Sequence, residues 1–548
     1  MDHGDPGSRA LDLGASGVFG LGFIRVPPKN EPVPYGGQGV RKASFYVPPN
    51  ILLITSDQQH WSALGSVNRK IRTPALDRLA QEGARFDRAY CANPTCTPSR
   101  ASLLTGMMPS QHGAWSLGTK LFEDVPTLSG MLDSAGFHTA LIGKAHFQPL
   151  ATRPGLESIE CQPILRDLDF WRGFHGPWYG FRHIETARMH TAEAHVGGHY
   201  ALWMEEKGLT KWRDFFESWP PDSGKTEKIY SSRTWDLPEE FHYNRWTSER
   251  TIAAMDAAGD SPFFIWSSFH DPHPPYLVPE PWASMYDPAD MEPGCMVPGE
   301  HSHNAPHFRH AAEVDEPGWW ERATGGEPIH GGWFQAHDED QRRRDMACYY
   351  GMTSFMDREI GRILDALEAS GRAENTLVVF TSDHGHFLGH HGLTAKAIHM
   401  YEDLVRVPFI ARWPGRVSQG SRTSLQSLVD FAPTVLSACG LPVPSRMTGK
   451  NQLPDWLLGE PVRTDVVIEN HHGAVRFHMR TFVTATHKIT VYRDGTEGEL
   501  FDLANDPGEV RNLWHDPSAA ELKRDLLLAF LQANLRDEPM PMPRIAPA

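Results

Sequence analysis

Short, unbroken apolar runs alternate along this chain with segments whose apolar positions recur at helical spacing. The runs 51–55 (Ile-Leu-Leu-Ile-Thr), 262–268 and 376–381 (Thr-Leu-Val-Val-Phe-Thr) carry no polar alternation. They suit strands buried on both faces of a parallel sheet. Residues 137–142 and 407–413 read the same way. Between them, Thr73-Pro74 opens a helix through Leu76, Leu79 and Ala80, with proline in its first turn. A further helix begins after Pro126-Thr127 and stops at Gly136, and others are predicted over 247–255 and 428–438. From 345 to 370, Met352, Phe355, Ile360, Ile363, Leu364 and Leu367 keep helical spacing until Gly371 closes the segment. Strand and helix in alternation predict an α/β architecture.

Beyond about residue 460 the pattern changes. Short stretches at 466–468, 475–478, 482–485 and 488–492, separated by turn residues, predict antiparallel strands, and 519–535 a terminal helix. The expected domains are an irregular N-terminal extension (1–48), a large α/β domain (49–460), and a smaller C-terminal α+β domain with helix and tail (461–548). Two stretches break the rhythm. Residues 160–245 lose periodicity and are rich in Trp, His and Gly, and 277–344 are rich in Pro, His and acids. Both are expected to be loops that shape a pocket or wrap the surface.

The polar residues that follow the buried runs carry the candidate chemistry, because open α/β sheets place their sites at strand carboxyl ends. They are Asp57 and Gln58, Lys144 and His146, His273, and Asp383 and His384. The segment Pro94-Thr95-Cys96-Thr97-Pro98-Ser99-Arg100 turns into an apolar, helix-compatible stretch, which puts Cys96 at or near a helix start. Unpaired N–H groups there favour an anion or a reactive thiol-derived group, and Arg100 lies one turn on. Carboxylates and an amide oxygen are hard ligands for Ca2+, Mg2+ or Mn2+, and a histidine nitrogen tilts the preference toward Mn2+. The bland alternative has each pair capping its neighbouring helix and Cys96 as a buried structural thiol. His60, His112, His270, His386 and His390 share the neighbourhood without an evident duty and read as structural or substrate-lining.

Composition narrows the classes. With 52 Lys and Arg against 68 Asp and Glu, the formal charge is -16, and the acids are interspersed. A nucleic-acid partner is therefore not expected. The six cysteines show no Cys-x-x-Cys spacing, which argues against a disulfide scaffold or zinc ribbon and toward a reducing, cytoplasmic location. No run reaches the ~18 apolar residues of a membrane span, and the N-terminus lacks a basic signal-peptide region.

The run Cys96-Thr97-Pro98-Ser99-Arg100 followed by Ala101-Ser102-Leu103-Leu104-Thr105-Gly106 resembles the signature of the type I sulfatases, a branch of the alkaline phosphatase superfamily. Gly143-Lys144-Ala145-His146 is similar to that family's Gly-Lys-x-His motif, and Pro272-His273-Pro274-Pro275 supplies its Pro-His-x-Pro motif. Lys396 follows Leu388-Gly389-His390-His391-Gly392, and 499–513 resemble the closing signature of sulfatase C-terminal domains. The resemblance implies an alkaline-phosphatase-like central mixed sheet flanked by helices, with a smaller C-terminal α+β domain. It also implies that Cys96 is oxidised to formylglycine by a formylglycine-generating enzyme, and that one divalent ion, Ca2+ before Mn2+, sits on Asp57, Gln58, residue 96, Asp383 and His384.

In that scheme a hydroxyl of the hydrated aldehyde attacks sulfur, assisted by Asp383. Lys144, Lys396 and Arg100 hold charge, His273 with Lys396 protonates the leaving alkoxide, and His146 takes the second hydroxyl's proton to expel sulfate. The implied activity is hydrolysis of a small-molecule sulfate monoester, aryl sulfate being the generic case, in a protein expected to form homo-oligomers. The family often has Asp and Asn where this chain has Gln58 and His384. Both departures occur in its phosphonate monoester hydrolases and choline sulfatases, so a phosphonate monoester or phosphate diester substrate is the alternative enzyme reading. An inactive binding protein on the same fold is the alternative of another class.

Overall fold

The buried runs assemble side by side into one sheet. In chain order its strands are β1 (Asn50–Ser56), β2 (Ala84–Tyr90), β3 (His138–Gly143), β4 (His183–Thr186), β5 (Phe263–Ser268), β6 (Thr376–Ser382), β7 (Phe409–Arg412) and β8 (Gly420–Ser427). Their spatial order is β8-β2-β7-β6-β1-β5-β3-β4, and a short strand, Arg406–Val407, also pairs with β2. The sheet is mixed: β7 runs antiparallel to β2 and β6, while β1, β3, β5 and β6 are parallel. This computed structural model describes residues 47–188, 193–216, 232–312, 338–396, 398–472 and 477–540. The expected extension, apart from its last residues, and the end of the tail lie outside them.

Alternate residues of each central strand enter opposite cores. Ile51, Leu53, Leu141 and Val379 pack with α2 (Cys96–Thr105), α3 (Leu128–Ser134) and α6 (Phe431–Ala438) through Leu103, Leu104, Leu128, Leu132, Val435 and Leu436. Leu52, Ile54, Ile142, Ile265 and Phe380 face α1 (Pro74–Glu82), α4 (Tyr243–Ala257) and α5 (Glu339–Ala369) through Leu76, Leu79, Met255, Ile360, Ile363 and Leu367. Burial on both faces is what unbroken apolar runs require.

A second, antiparallel sheet contains β9 (Asp465–His472), β10 (Phe477–Thr484), β11 (His487–Tyr492) and β12 (Gly498–Asp502) in that order. Val466, Ile468, Met479 and Val483 join the main core. Phe482, Ile489 and Leu500 are covered by Leu526, Phe530 and Ala533 of α7 (Ala520–Arg536). Contacts group the described residues from Pro48 onward into one compact unit. Among the described residues no helix is long and apolar enough to cross a membrane.

Several elements depart from the sequence expectation. Helix α5 begins well before residue 345, and β10 is one continuous strand where two were expected at 475–478 and 482–485, Val475 itself lying outside the described residues. The stretch expected to be loops at 160–245 contains a short helix (Leu168–Gly173), β4 and a further helix (Gly198–Glu206). These are built on buried aromatics such as Trp171, Tyr200 and Trp246, whose packing overrides the missing periodicity.

Gly143 closes β3 at φ +106°, and a Cβ there would lie 1.9 Å from the Ser268 carbonyl oxygen. This close approach brings Lys144 N–H onto that oxygen at 3.0 Å and aims the following residues over the sheet edge. Gly143→Ala is expected to lose at least about 1–3 kcal/mol, read as a lower urea midpoint with an unchanged slope. A wild-type midpoint would contradict the requirement for glycine.

Candidate active site

Because β1, β3, β5 and β6 are parallel, their carboxyl ends share one edge, with Ser56 opposite Ser382 and Gly143 opposite Ser268. Cys96 is the first residue of α2 and only 1 % exposed. The helix start is clamped to β6: Ser99 Oγ donates to the Asp383 carbonyl at 2.5 Å and Arg100 Nε to Asp383 Oδ2 at 2.8 Å. Arg100 Nη1 also donates to the Lys144 carbonyl at 3.0 Å and to Ser268 Oγ at 2.7 Å. One buried guanidinium thus ties three strand ends to the turn carrying Cys96.

Around Cys96 Sγ stand Lys396 Nζ at 3.1 Å, His384 Nε2 at 3.3 Å, Asp57 Oδ1 at 3.7 Å and Lys144 Nζ at 3.9 Å. Lys144 also pairs closely with Asp57. Burial and the Asp57 carboxylate push the Cys96 thiol up, but the Lys144 and Lys396 ammonium groups outweigh them, and its pKa lies below the ordinary thiol value. The position therefore favours negative charge despite being dry.

Donor atoms of Asp57, Cys96, Asp383 and His384 all lie within 4.8 Å of one another. Gln58 has φ +62° and gives its N–H to Asp383 Oδ1 at 3.0 Å, yet both ends of its buried side-chain amide have no hydrogen-bond partner among the described residues. An orphaned buried amide costs about 1–3 kcal/mol. A divalent ion among these oxygens would satisfy Gln58 Oε1, so the residues present fit a hard cation.

The sequence-predicted groups converge from separate elements. His273 Nδ1 meets its neighbour Pro274's carbonyl, which leaves Nε2 to accept from Lys396 Nζ at 3.0 Å. His146 has φ +60° and donates its backbone N–H to Glu160 Oε1 at 2.9 Å, while its ring Nδ1 has no hydrogen-bond partner among the described residues. Burial, then the nearby Arg188 and Lys144 charges, hold its pKa well below the ordinary imidazole value.

Sequence reasoning missed Arg188 and Glu160. Arg188 is 3 % exposed, bonds Glu160 Oε1 at 3.2 Å, and leaves its Nε without a hydrogen-bond partner among the described residues. Its charge interacts with Cys96 as well as His146. Glu160 in turn accepts the backbone N–H groups of His146, Phe147 and Gln148. The available signal was Arg188's place just after the edge strand β4, itself hidden in an aperiodic stretch.

The profile described as Sulfatase matches residues 49–441. This chain belongs to the sulfatase family. A second profile, N-sulphoglucosamine sulphohydrolase, C-terminal, matches residues 389–535 of the sulfatase and spans its small sheet. An arylsulfatase of Clostridium perfringens is 29% identical over 498 residues, covering 85% of this chain and 90% of the relative. The uncharacterized sulfatase YidJ of Escherichia coli is 28% identical over 502 residues, covering 89% and 88%. Among solved structures, the phosphonate monoester hydrolase of Agrobacterium radiobacter superposes with a TM-score of 0.72 at 23% identity, covering 89% of this chain and 96% of that one. That is a likeness of fold, the alkaline-phosphatase-like sheet with its smaller C-terminal sheet. The sulfatase is a sulfuric ester hydrolase.

Proposed function

We propose that this sulfatase hydrolyses small-molecule sulfate monoesters, with an aryl sulfate as the generic substrate, at a formylglycine made from Cys96 and beside one divalent ion. The observation that carries the reading is the ring of groups on Cys96 Sγ: two ammonium groups, a carboxylate and an imidazole within 3.9 Å. Oxidised to an aldehyde and hydrated, residue 96 would supply the nucleophile. Bound by Asp57, Gln58, Asp383 and His384, a divalent ion would supply Lewis acidity and charge neutralisation.

The chain's own groups then divide the work. Lys396 and Lys144 hold the equatorial oxygens as negative charge develops. Lys396 delivers a proton toward the leaving alkoxide, and His273, accepting from Lys396 through Nε2, holds the ammonium group in place to do so. Arg100 is too enclosed to reach far; it neutralises Asp383 and fixes the strand ends. His146, neutral by virtue of its depressed pKa, accepts the proton that accompanies sulfate release.

A phosphonate monoester reading is favoured by the presence of Gln58 and His384 in place of the commoner Asp and Asn, and the similar Agrobacterium radiobacter structure is that of a phosphonate monoester hydrolase. The deciding experiment expresses the chain with a formylglycine-generating enzyme, maps the Cys96 peptide by mass spectrometry, and compares 4-nitrophenyl sulfate with phenyl phosphonate esters. The expected result is a loss of thiol mass to the aldehyde and a higher kcat/KM for the sulfate. An unmodified thiol in fully active enzyme would sink the formylglycine step, and a large phosphonate preference would reverse the substrate order.

A further inference from the structure

The loops that follow β1 and β6 meet a second time, away from Cys96. His60, three residues past Asp57, brings Nε2 to Asp403 Oδ1 at 2.9 Å, with Ser62 Oγ on its Nδ1 at 2.7 Å. His390 points Nδ1 at the same carboxylate oxygen from 3.9 Å. The His60 and His390 rings lie parallel to within 3°, with centroids 5.7 Å apart. One donor atom from each of His60, His390 and Asp403 lies within 4.8 Å of the others.

We propose that His60, His390 and Asp403 form a second metal site, for an ion of the Zn2+ class, separate from the Cys96 centre and independent of the substrate assigned to it. Two imidazole nitrogens converge on one carboxylate oxygen, and the second is too distant to bond it. A tetrahedral ion with ligands at about 2.0–2.2 Å separates its donor atoms by roughly 3.3 Å, between the two spacings observed. A two-histidine, one-carboxylate set suits Zn2+ and related borderline ions, whereas the oxygen-rich Cys96 centre suits harder ones. The two centres therefore differ in the metal they select.

The surroundings are built to hold these ligands. The other carboxylate oxygen of Asp403 faces His391 Nε2 at 3.4 Å, and His391 Nδ1 meets Glu300 Oε1 at 3.2 Å. That carboxylate–histidine–carboxylate chain orients Asp403, as outer ligand partners do. His391 is itself stacked on Tyr401, centroids 3.5 Å apart. The His390 loop turns at Gly389 (φ +91°) and packs on Gly294, where a Cβ would lie 2.3 Å from His390 N. His60 is buried, whereas the His390 side chain is 45% exposed, so the fourth position opens to solvent.

The test titrates the full-length protein with Co2+ in excess Ca2+ and follows visible absorption, then displaces Co2+ with Zn2+. The expected result is one equivalent of Co2+ with the intense d–d bands of a four-coordinate site. His390→Ala, at a half-exposed position that does not threaten the fold, loses those bands, and His391→Ala weakens Co2+ binding roughly 10–100-fold. Cys96→Ser keeps them. Wild type that takes up no Co2+ in excess Ca2+, or His390→Ala with undiminished bands and affinity, overturns the proposal. Bands lost in Cys96→Ser but kept in His390→Ala would assign the Co2+ to the catalytic centre and overturn it equally.

Discussion

Replacing Cys96 with alanine is expected to lower kcat for 4-nitrophenyl sulfate by roughly 10^4-fold or more, the scale of losing a nucleophile whose partners act as a unit. Lys144 and Lys396 remain and still attract the sulfate group, so KM should move far less than kcat. The fold should survive, because Arg100 and Ser99 rather than the thiol clamp α2 to β6. Cys96→Ser is expected to be nearly as damaging: a hydroxyl restores the contacts but not the aldehyde chemistry proposed for residue 96. Steady-state kinetics beside a thermal melt separate the cases. A folded alanine variant within about tenfold of wild-type kcat, a difference of only ~1.4 kcal/mol in barrier, would remove Cys96 from the chemistry.

The buried centre of the sheet was legible because its physical signal is local. A strand enclosed on both faces must be apolar along its centre, and 51–54, 263–266 and 377–380 are. Each is followed by polar residues with no reason to sit against a core unless they do chemistry, which is how Asp57, Lys144, His273 and Asp383 stood out. The strands at one margin of the sheet, the edge strand β8 and its neighbour β2, carry a weaker signal. β2 reads Ala-Arg-Phe-Asp-Arg-Ala-Tyr and β8 Gly-Ser-Arg-Thr-Ser-Leu-Gln-Ser; both keep partly exposed positions, and neither was predicted. Pairing with neighbours distant in sequence makes them strands, and no local pattern records that.

The same distinction separates the site residues. Cys96, Arg100, Lys144, His146, His273 and Lys396 sit in compact runs, whereas Arg188 depends on β4 and on a contact with Glu160 28 positions away. His60 and His390 read only as structural or substrate-lining and Asp403 did not stand out, because a sequence separation of 343 divides His60 from its carboxylate. The charges at the Cys96 centre make a related point. Buried ions must be paired to be tolerated, and here Arg100 answers Asp383 while Lys144 answers Asp57. Among the described residues, Lys396 turns toward the thiol, His273 and His384 rather than toward a carboxylate in contact with it. That leaves its charge available to an incoming anion.

His146→Ala should split the reaction in two. His146 is assigned to the proton that leaves with sulfate, not to the departure of the alcohol, which Lys396 and His273 assist. The variant is therefore expected to release one equivalent of 4-nitrophenol in a rapid burst and then turn over about 10^2–10^4-fold more slowly than wild type, the usual worth of a positioned base. The backbone should hold, since Glu160 grips the main-chain N–H of residue 146 rather than the ring. The pH profile gives an independent reading. A base works when deprotonated, and burial together with Arg188 and Lys144 depresses the His146 pKa. Its acid limb should lie below the ordinary imidazole range, so wild-type sulfate release persists as pH falls through 6.5. Removing the neighbouring charge with Arg188→Met should move that limb upward while leaving the burst intact. Loss of the burst in a folded His146→Ala protein would instead place His146 in the first step.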